Sequence, residues 1–224
     1  MRQKYLFLAK RILYYLYGEK FYKRLNYDWS KHPSRTKIIQ NIINKKNFKN
    51  YLEIGCDKNE NFSQINIENK VGVDPNRGGT IRATSDKFFQ KNKDKFDIIF
   101  LDGLHTYEQT IKDINNSINV IHDKGIILIH DCLPKKIWNQ IVPRLYGHWN
   151  GDVWKAIVHS RTNEKVDTYT CIADHGLGII FKRKNRNLLE MKDQDFKSLK
   201  FSDYYKNHEK FMNLITHDNI EKIF

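Results

Sequence analysis

The apolar positions of this chain form short continuous runs that alternate with segments in which isoleucine recurs at helical spacing. The clearest runs cover 51–54, 71–73, 96–101 and 126–129, and each ends at a turn or at polar residues. Continuous apolar runs are typical of strands buried on both faces of a parallel sheet. The alternation with helical segments predicts an α/β fold.

The remaining patterns complete this set of elements. Helices are predicted at 33–46, at 61–67, from Lys87 onward and at 107–120. A short strand is predicted at 80–83. After Pro134 we expect a helical segment, then a helix from Asp152 to about His159. Runs 166–173 and 179–182 predict an antiparallel hairpin at one sheet edge, and 201–224 predicts a terminal helix.

The N-terminal segment 1–29 is basic and aromatic. Its apolar residues fall on one helical stripe: Tyr5, Leu8, Ala9, Ile12 and Leu16. Lys10 and Arg11 interrupt it, so we expect neither a signal peptide nor stable membrane insertion. We expect a helix that packs on the domain or on a second subunit, with a homodimer through the terminal helices as one possibility. A helix lying in a membrane interface is the alternative.

The stretch 51–75 has the order of a nucleotide-binding βαβ unit. Glu53 and Gly55 end the first run, and Asp74 followed by proline ends the second, where a carboxylate can bind ribose hydroxyls. Gly55 is the sole glycine between 51 and 70, which disfavours a pyrophosphate. Because Glu53 would repel phosphate and attract an ammonium group, S-adenosylmethionine fits better than NAD. The alternative is an ordinary strand pair without a ligand.

Two later strands each deliver an aspartate and a histidine to the same edge of the predicted sheet. Asp102 and His105 follow the run 96–101, while His130 and Asp131 follow the run 126–129. Histidine titrates near neutral pH, so His105 and His130 are candidate bases. Residues 84–86, Thr-Ser-Asp, also fall at this edge, where they can cap a helix or contact an adenine.

Composition sets limits on size and partners. The 224 residues fit one domain with terminal additions. The net charge of +13 comes from scattered lysines without an arginine-rich block, so no nucleic-acid partner is expected, although a phosphorylated or nucleotide-linked substrate would be attracted. Cys56, Cys132 and Cys171 are widely spaced and predict reduced thiols in a cytoplasmic protein.

Five motifs in order resemble the class I S-adenosylmethionine-dependent methyltransferases, especially small bacterial sugar and macrolide-sugar O-methyltransferases. They are Leu-Glu-Ile-Gly at 52–55, Gly-Val-Asp at 72–74, Asp-Gly-Leu-His-Thr-Tyr at 102–107, His-Asp at 130–131 and Gly-Asp-Val-Trp-Lys at 151–155. The resemblance implies a Rossmann-like, doubly wound seven-stranded sheet whose last strand is antiparallel, with flanking terminal helices. It places the methyltransferase domain at 47–183, between a helical extension (1–46) and a charged segment with a helix (184–224).

The resemblance also implies residue roles. Glu53 and Gly55 would line the methionine moiety, Asp74 would hold the ribose, and Ser85 and Asp86 would contact the adenine. Cys56 and Asp102 would complete the cofactor contacts, although a small buried residue is the simpler reading of Cys56. Asn59 stands where the family usually has a second glycine, a departure that asparagine can accommodate because it tolerates a left-handed backbone.

The same relatives bind a divalent metal through acids after the fourth and fifth strands. Asp102 and Asp131 match two of these positions and His130 takes the third, so a divalent metal is possible. The expected acceptor site comprises His105, Tyr107, Asp152, Trp154 and Lys155. A helix cap at Asp152 and a core tryptophan are the alternative readings.

We therefore predict a methyltransferase that uses S-adenosylmethionine and modifies a hydroxyl on a small polar acceptor, such as a sugar or sugar nucleotide of surface-polysaccharide or natural-product biosynthesis. The catalytic residues would be His105 as base, with Asp131 and His130. The alternatives are an N- or RNA-methyltransferase, favoured by the positive charge, and a non-catalytic cofactor-binding module.

Overall fold

An eight-stranded mixed sheet forms the centre of the computed structural model, which describes residues 2–14, 16, 25–144, 147–191 and 195–224. The strands are β1 (Asn50–Ile54), β2 (Asn69–Asp74), β3 (Ile81–Arg82), β4 (Phe96–Leu101), β5 (Ile121–Ile129), β6 (Asp167–Cys171), β7 (Leu177–Phe181) and β8 (Leu214–Ile215). They lie in the order β3-β2-β1-β4-β5-β7-β6-β8. The predicted Rossmann-like α/β fold is confirmed.

Seven α-helices accompany the sheet in the described part of the chain. They are α1 (Arg2–Tyr14), α2 (Arg35–Lys46), α3 (Ser85–Lys91), α4 (Tyr107–Val120), α5 (Ile137–Gln140), α6 (Val153–Arg161) and α7 (Phe201–Met212). Short 3₁₀ turns occupy Trp29–Lys31, Phe62–Gln64, Phe196–Ser198 and His217–Ile223. The helical segment expected after Pro134 is only the single turn α5.

Among the described strands, β7 alone runs opposite to the others. Strands β1 to β5 are parallel, whereas β7 pairs antiparallel with both β5 and β6, as the predicted hairpin requires. The sheet has one strand more than expected, because β8 pairs with Thr170 and Cys171 of β6. The predicted terminal helix is thus correct only as far as Met212. Asn213, with a left-handed φ of 48°, ends α7 and turns the chain toward the sheet edge.

The helix predicted at 61–67 is wrong, since the connection from β1 to β2 contains only the 3₁₀ turn Phe62–Gln64. Its polar side chains bond to nearby backbone and side-chain groups instead. The Ser63 hydroxyl donates to the Asn59 carbonyl at 2.7 Å, and the Asn61 amide donates to Glu53 at 2.8 Å. Such local bonds compete with a helical backbone, so the apolar spacing alone did not decide the structure.

Both faces of the sheet are buried, which explains the continuous apolar runs. In β4, Ile99 and Leu101 pack into the core that includes residues of α4, α6 and α7, while Ile98 and Phe100 pack into the core that includes α2. Four isoleucines of α2 are buried on that second side: Ile38, Ile39, Ile42 and Ile43. The carboxyl ends of the central strands are therefore held between two packed layers.

The predicted N-terminal helix is present as α1, but its apolar stripe does not pack on the domain. Tyr5, Leu8 and Ile12 are 68%, 51% and 52% exposed, and Leu16 beyond the helix is 43% exposed. Arg11 instead lies over the ring of Trp138 in α5, 4.7 Å from its centre. Among the residues described, no helix is both long and apolar enough to cross a bilayer.

Candidate active site

The carboxyl ends of four parallel strands bring acidic and histidine side chains to one edge of the sheet. Glu53 lies near the end of β1, Asp74 ends β2, Asp102 follows β4, and His130 follows β5. The Asp102 N–H donates to the Ile54 carbonyl at 2.8 Å, so the strand pairing continues to the first site residue. Since ligands of open α/β sheets bind beyond these strand ends, this edge is the candidate active site.

Gly55 lets β1 and β4 approach closely at this edge. Its φ is +90°, and a Cβ there would lie 2.1 Å from the Asp102 carbonyl oxygen. Any side chain would push the Asp102 backbone away. Asn59, in the position where a second glycine was expected, has a φ of 65° and accepts a hydrogen bond from the Gly79 N–H at 2.7 Å. The left-handed turn that asparagine tolerates is therefore formed.

Gly55→Ala is expected to destabilise the protein and to weaken cofactor binding. The positive φ costs an alanine about 1–2 kcal/mol, and the contact with Asp102 adds about 1–3 kcal/mol. Gly147→Ala is the matched control, because Gly147 has a φ of +75° but no atom within 4 Å of the added Cβ. Urea unfolding and calorimetry with S-adenosylhomocysteine measure both effects. Equal losses in the two variants would contradict the proposed steric role.

Asp74 receives backbone hydrogen bonds on both carboxylate oxygens. The N–H groups of Asn76 and Arg77 donate to Oδ1 at 2.8 and 3.0 Å, and that of Asp57 donates to Oδ2 at 3.0 Å. Burial would raise the pKa of Asp74, but these donors, together with the Arg82 charge, outweigh it and hold the pKa below its usual value. The carboxylate is thus ionised and keeps lone pairs for a ligand hydroxyl.

A cavity of about 480 Å³, the Asp74 cavity, runs along the ends of β1 and β2. Gly55, Asp74, Ser85, Asp86 and Asp102 are among its lining residues. Thr84 caps α3 by accepting from the Lys87 N–H at 3.3 Å, which fulfils the predicted capping role for this group. Ser85 and Asp86 are bonded to Gln109, which also lines the cavity. Most of the predicted cofactor contacts therefore share one space, whereas Glu53 and Cys56 do not line it.

A second cavity of about 300 Å³, the His105 cavity, adjoins the first. Both are lined by Gly55, Asp57, Asp102 and Gly103. The His105 cavity is also lined by Arg35, Glu53, Cys56, His105 and Trp149. The two spaces meet beside Asp102, which suits a reaction between two bound molecules.

Glu53 is almost fully buried in the wall of the His105 cavity. Oε2 accepts hydrogen bonds from the Tyr51 hydroxyl at 2.5 Å and from the Asn61 amide at 2.8 Å. Burial raises the pKa of Glu53 to about 7 despite these donors. A cation in the cavity would therefore favour its ionised form. Beside it, burial raises the pKa of Cys56 to about 12, so this thiol stays protonated.

His105 lies between two carboxylates in the wall of the His105 cavity. Nε2 is 3.1 Å from Asp102 Oδ1, and Nδ1 is 3.2 Å from Asp131 Oδ2. The indole of Trp149 stacks on the imidazole with ring centres 5.6 Å apart. Burial would lower the pKa of His105, but the hydrogen bond to Asp102 and the charge of Asp131 outweigh it and raise the pKa. The sequence-predicted base and two predicted acids thus converge.

His130 occupies a deeper position with both ring nitrogens facing acids. Nδ1 is 3.1 Å from Asp102 Oδ1, and Nε2 is 3.4 Å from Asp174 Oδ1. Burial alone would lower the pKa of His130, but Asp102 and Asp174 raise it to about 10. A protonated imidazole in this place has no lone pair for a substrate proton or a metal. The geometry suits a fixed positive charge that positions Asp102.

Left-handed backbone shapes this part of the site. Strand β5 has ended before Asp131, which has a φ of 60°, and Asp174 and His175 have φ values of 40° and 64°. The Asn150 amide donates to Asp131 Oδ1 at 2.8 Å, which leaves Oδ2 facing His105. Non-glycine residues with positive φ cluster at functional sites because surrounding contacts must hold them there.

Two groups of side chains have the donor atoms for a cation. One comprises Asp102, His105 and Asp131, and the other comprises Asp131, His148 and His175, with the ligand atoms of each group within 4.8 Å of one another. The sequence-predicted set of Asp102, His130 and Asp131 also converges, because His130 Nδ1 lies 3.7 Å from Asp131 Oδ2. However, the two nitrogens of His130 are already engaged with carboxylates.

The structure does not bring the predicted acceptor residues from 152–155 to either cavity. Trp154 is fully buried, and its indole donates to Gln140 at 3.2 Å. Lys155 donates to the Lys197 carbonyl at 2.8 Å. Asp152 accepts from the Tyr107 N–H at 2.7 Å, and the Tyr107 hydroxyl lies 3.1 Å from His159. The two contacts of Tyr107 tie the start of α4 to α6 and to Asp152 before it.

Several site residues lacked a usable sequence signal. Arg35 begins α2, where its N–H donates to Asp174 Oδ2 at 2.6 Å and its Nε is buried without a hydrogen-bond partner in the described structure. Trp149 lies in a loop without hydrophobic periodicity. Asp174 stands beside His175 in the predicted hairpin turn. This Asp-His pair, which reverses the His-Asp pair at 130–131, was the one sequence signal that could have identified Asp174.

Residues 34–132 match a protein family described as a methyltransferase domain. This part of the chain is therefore similar to known methyltransferase domains. The match begins at the cap of α2 and ends beyond Asp131, so it includes the four strand ends that carry the site. The predicted resemblance to class I S-adenosylmethionine-dependent methyltransferases, and with it the prediction of a methyltransferase, is confirmed.

Solved structures share this methyltransferase fold. The methyltransferase PaMTH1 of Podospora anserina, solved with S-adenosylhomocysteine, has a TM-score of 0.52 and 16% identity, covering 79% of this chain and 96% of that one. A Staphylococcus aureus protein, named provisionally as a caffeoyl-CoA O-methyltransferase, has a TM-score of 0.51 and 15% identity, covering 81% and 99%. No curated protein sequence matches significantly.

Proposed function

We propose that this methyltransferase transfers a methyl group from S-adenosylmethionine to a hydroxyl of a small polar acceptor, namely a sugar or sugar nucleotide. The observation that carries the proposal is the position of His105 between Asp102 and Asp131, in the wall of the His105 cavity and beside Asp102, which lines both cavities. A base in this position can take a proton from an acceptor that lies in the His105 cavity beside the methionine end of the bound methyl donor.

The described residues fit S-adenosylmethionine. The ionised Asp74 can accept hydrogen bonds from ribose hydroxyls, and Ser85 and Asp86 line the far part of the same cavity. In the His105 cavity, Glu53 suits an ammonium group, and the Arg35 guanidinium suits a carboxylate. The bound cofactor supplies a methyl group activated on a sulfonium.

His105 would accept the acceptor's hydroxyl proton. An alcohol resembles water, whose pKa is about 15.7, so its oxygen becomes a strong nucleophile only as the proton leaves. Asp131 holds the imidazole through Nδ1, while the acceptor hydroxyl would replace Asp102 at Nε2, and both carboxylates stabilise the positive charge that the ring gains. The His130 imidazolium keeps Asp102 ionised and oriented.

A divalent cation fits the same cluster as a further proposed component. Asp102, His105 and Asp131 supply two carboxylates and one imidazole, a mixed donor set that suits Zn²⁺, Mn²⁺ or Fe²⁺ better than Mg²⁺. Such an ion would act as a Lewis acid on an acceptor oxygen. A single nitrogen of His105 cannot both bind the ion and accept the acceptor's proton. At that nitrogen, a bound ion would therefore replace the role of general base.

The His105 cavity supports a sugar-like acceptor. The Trp149 indole stacks on His105 and lines the cavity, where an aromatic face can pack against a sugar ring. Lys58 and Glu60 in the same wall supply hydrogen-bond partners for hydroxyls. The provisional name of the S. aureus protein of like fold also specifies transfer to oxygen.

The test is a methyl-transfer assay with S-adenosylmethionine and a panel of monosaccharides and sugar nucleotides. We expect S-adenosylhomocysteine to form together with a product that is heavier by one methylene and is methylated on oxygen. The His105→Ala variant serves as the inactive control. Methylation of nitrogen or of RNA, or no turnover with any hydroxyl acceptor, would contradict the proposal.

A further inference from the structure

Helix α1 carries a large share of the apolar surface that the described residues expose. Five of its residues and one residue just beyond its end are each between 43% and 68% exposed: Tyr5, Leu6, Leu8, Ile12, Leu13 and, beyond the helix, Leu16. Single exposed apolar residues are ordinary, but a contiguous patch of this kind marks a site of interaction.

These side chains share one side of the helix. Successive residues of an α-helix advance by about 100°, so Tyr5, Leu8 and Ile12, spaced by three and four positions, lie nearly above one another. Arg11, which lies against Trp138 of α5, falls on a different side of the axis. The contact between Arg11 and Trp138 therefore leaves the apolar side of α1 exposed.

The charge of the segment limits what can cover this surface. Residues 1–18 contain Arg2, Lys4, Lys10 and Arg11 but no aspartate or glutamate. A second copy of α1 laid against the first would bring like charges together without an acid on either helix to pair with them. An anionic surface has the opposite charge, and the net charge of +13 attracts the whole chain to it.

We propose that α1 docks the protein on an anionic lipid surface, with its apolar side in the headgroup region. At 13 residues the helix is about 20 Å long, which is too short to span a bilayer but suits a helix lying in the interface. Lys10 contacts lipid headgroups, while Leu8 and Ile12 enter the acyl boundary.

The direct test is co-sedimentation of the full-length protein with vesicles. We expect binding to vesicles of equal parts phosphatidylcholine and phosphatidylglycerol, weak binding to phosphatidylcholine alone, and release at high salt. The double variant Leu8→Ser/Ile12→Ser should weaken binding at least tenfold, because two apolar side chains leave the interface. Lys10→Glu should weaken it about fivefold or more.

Leu188→Ser is the matched control, since Leu188 is 40% exposed and lies far from α1 in the sequence. Its vesicle binding should equal that of the unaltered protein, and all variants should keep their unfolding midpoints. Equal binding to neutral and anionic vesicles, or no binding, would overturn the proposal. A further contradicting result would be a dimer of the unaltered protein in light scattering, a monomer of the double variant, and no vesicle binding by either. A second copy of the chain would then cover the apolar side of α1. None of these outcomes depends on methyl transfer.

Discussion

His105→Ala is expected to lower turnover by about 10²–10⁴-fold, the range that a positioned general base contributes. The affinity for S-adenosylhomocysteine should change little, because Asp74 and the rest of the Asp74 cavity are untouched. Stopped-flow or product assays measure the first quantity, and calorimetry measures the second. His122→Ala is the control, since His122 is exposed at the opposite end of β5.

The pH profile separates a base from a merely structural histidine. A base acts in its neutral form, and Asp102 and Asp131 raise the pKa of His105 above its usual value of 6.5. Turnover should therefore rise with pH through a value above 6.5. Asp131→Asn removes one of the charges that raise the pKa, so the rise should move to lower pH. An unchanged profile in Asp131→Asn, or full activity in His105→Ala, would remove His105 from the chemistry.

His130→Leu is expected to reduce the free energy of unfolding by about 3–5 kcal/mol, because Asp102 and Asp174 lose the buried positive charge between them. The folded state raises the pKa of His130 from 6.5 to about 10, so its stabilising contribution is complete below pH 6.5 and fades as pH rises toward 10. The difference between the two proteins should shrink over that interval. Urea titrations at several pH values measure it.

A second substitution tests the electrostatic explanation of that loss. Asp174→Asn removes one of the two uncompensated carboxylates, so the double variant His130→Leu/Asp174→Asn should be less destabilised than the sum of the single changes. Simple additivity, together with a destabilisation independent of pH, would indicate that His130 contributes through packing alone.

The strand ends were predictable because buried parallel strands leave a strong pattern. The run 96–101 and the acid after it located Asp102 correctly in β4, and His105 followed at the start of α4. In a parallel sheet, the residues that follow neighbouring strands lie close together. The proximity of Asp102, His130 and Asp131 could therefore be predicted without knowing the loop conformations.

What the sequence did not predict depends on loops and tertiary contacts. Trp149, rather than Trp154, reaches the His105 cavity because Trp154 lies on the buried side of α6. Arg35 enters the site only because α2 packs across the sheet and its first residue meets Asp174. The missing helix after β1 has a similar cause, since Asn61 bonds to Glu53 instead of solvent.

A crystal structure with S-adenosylhomocysteine would test the central claim most directly. We expect the ribose hydroxyls within hydrogen-bond distance of Asp74 and the sulfur at the junction of the two cavities, facing His105. A ligand bound elsewhere, or one whose ribose does not contact Asp74 and whose sulfur points away from His105, would contradict the account.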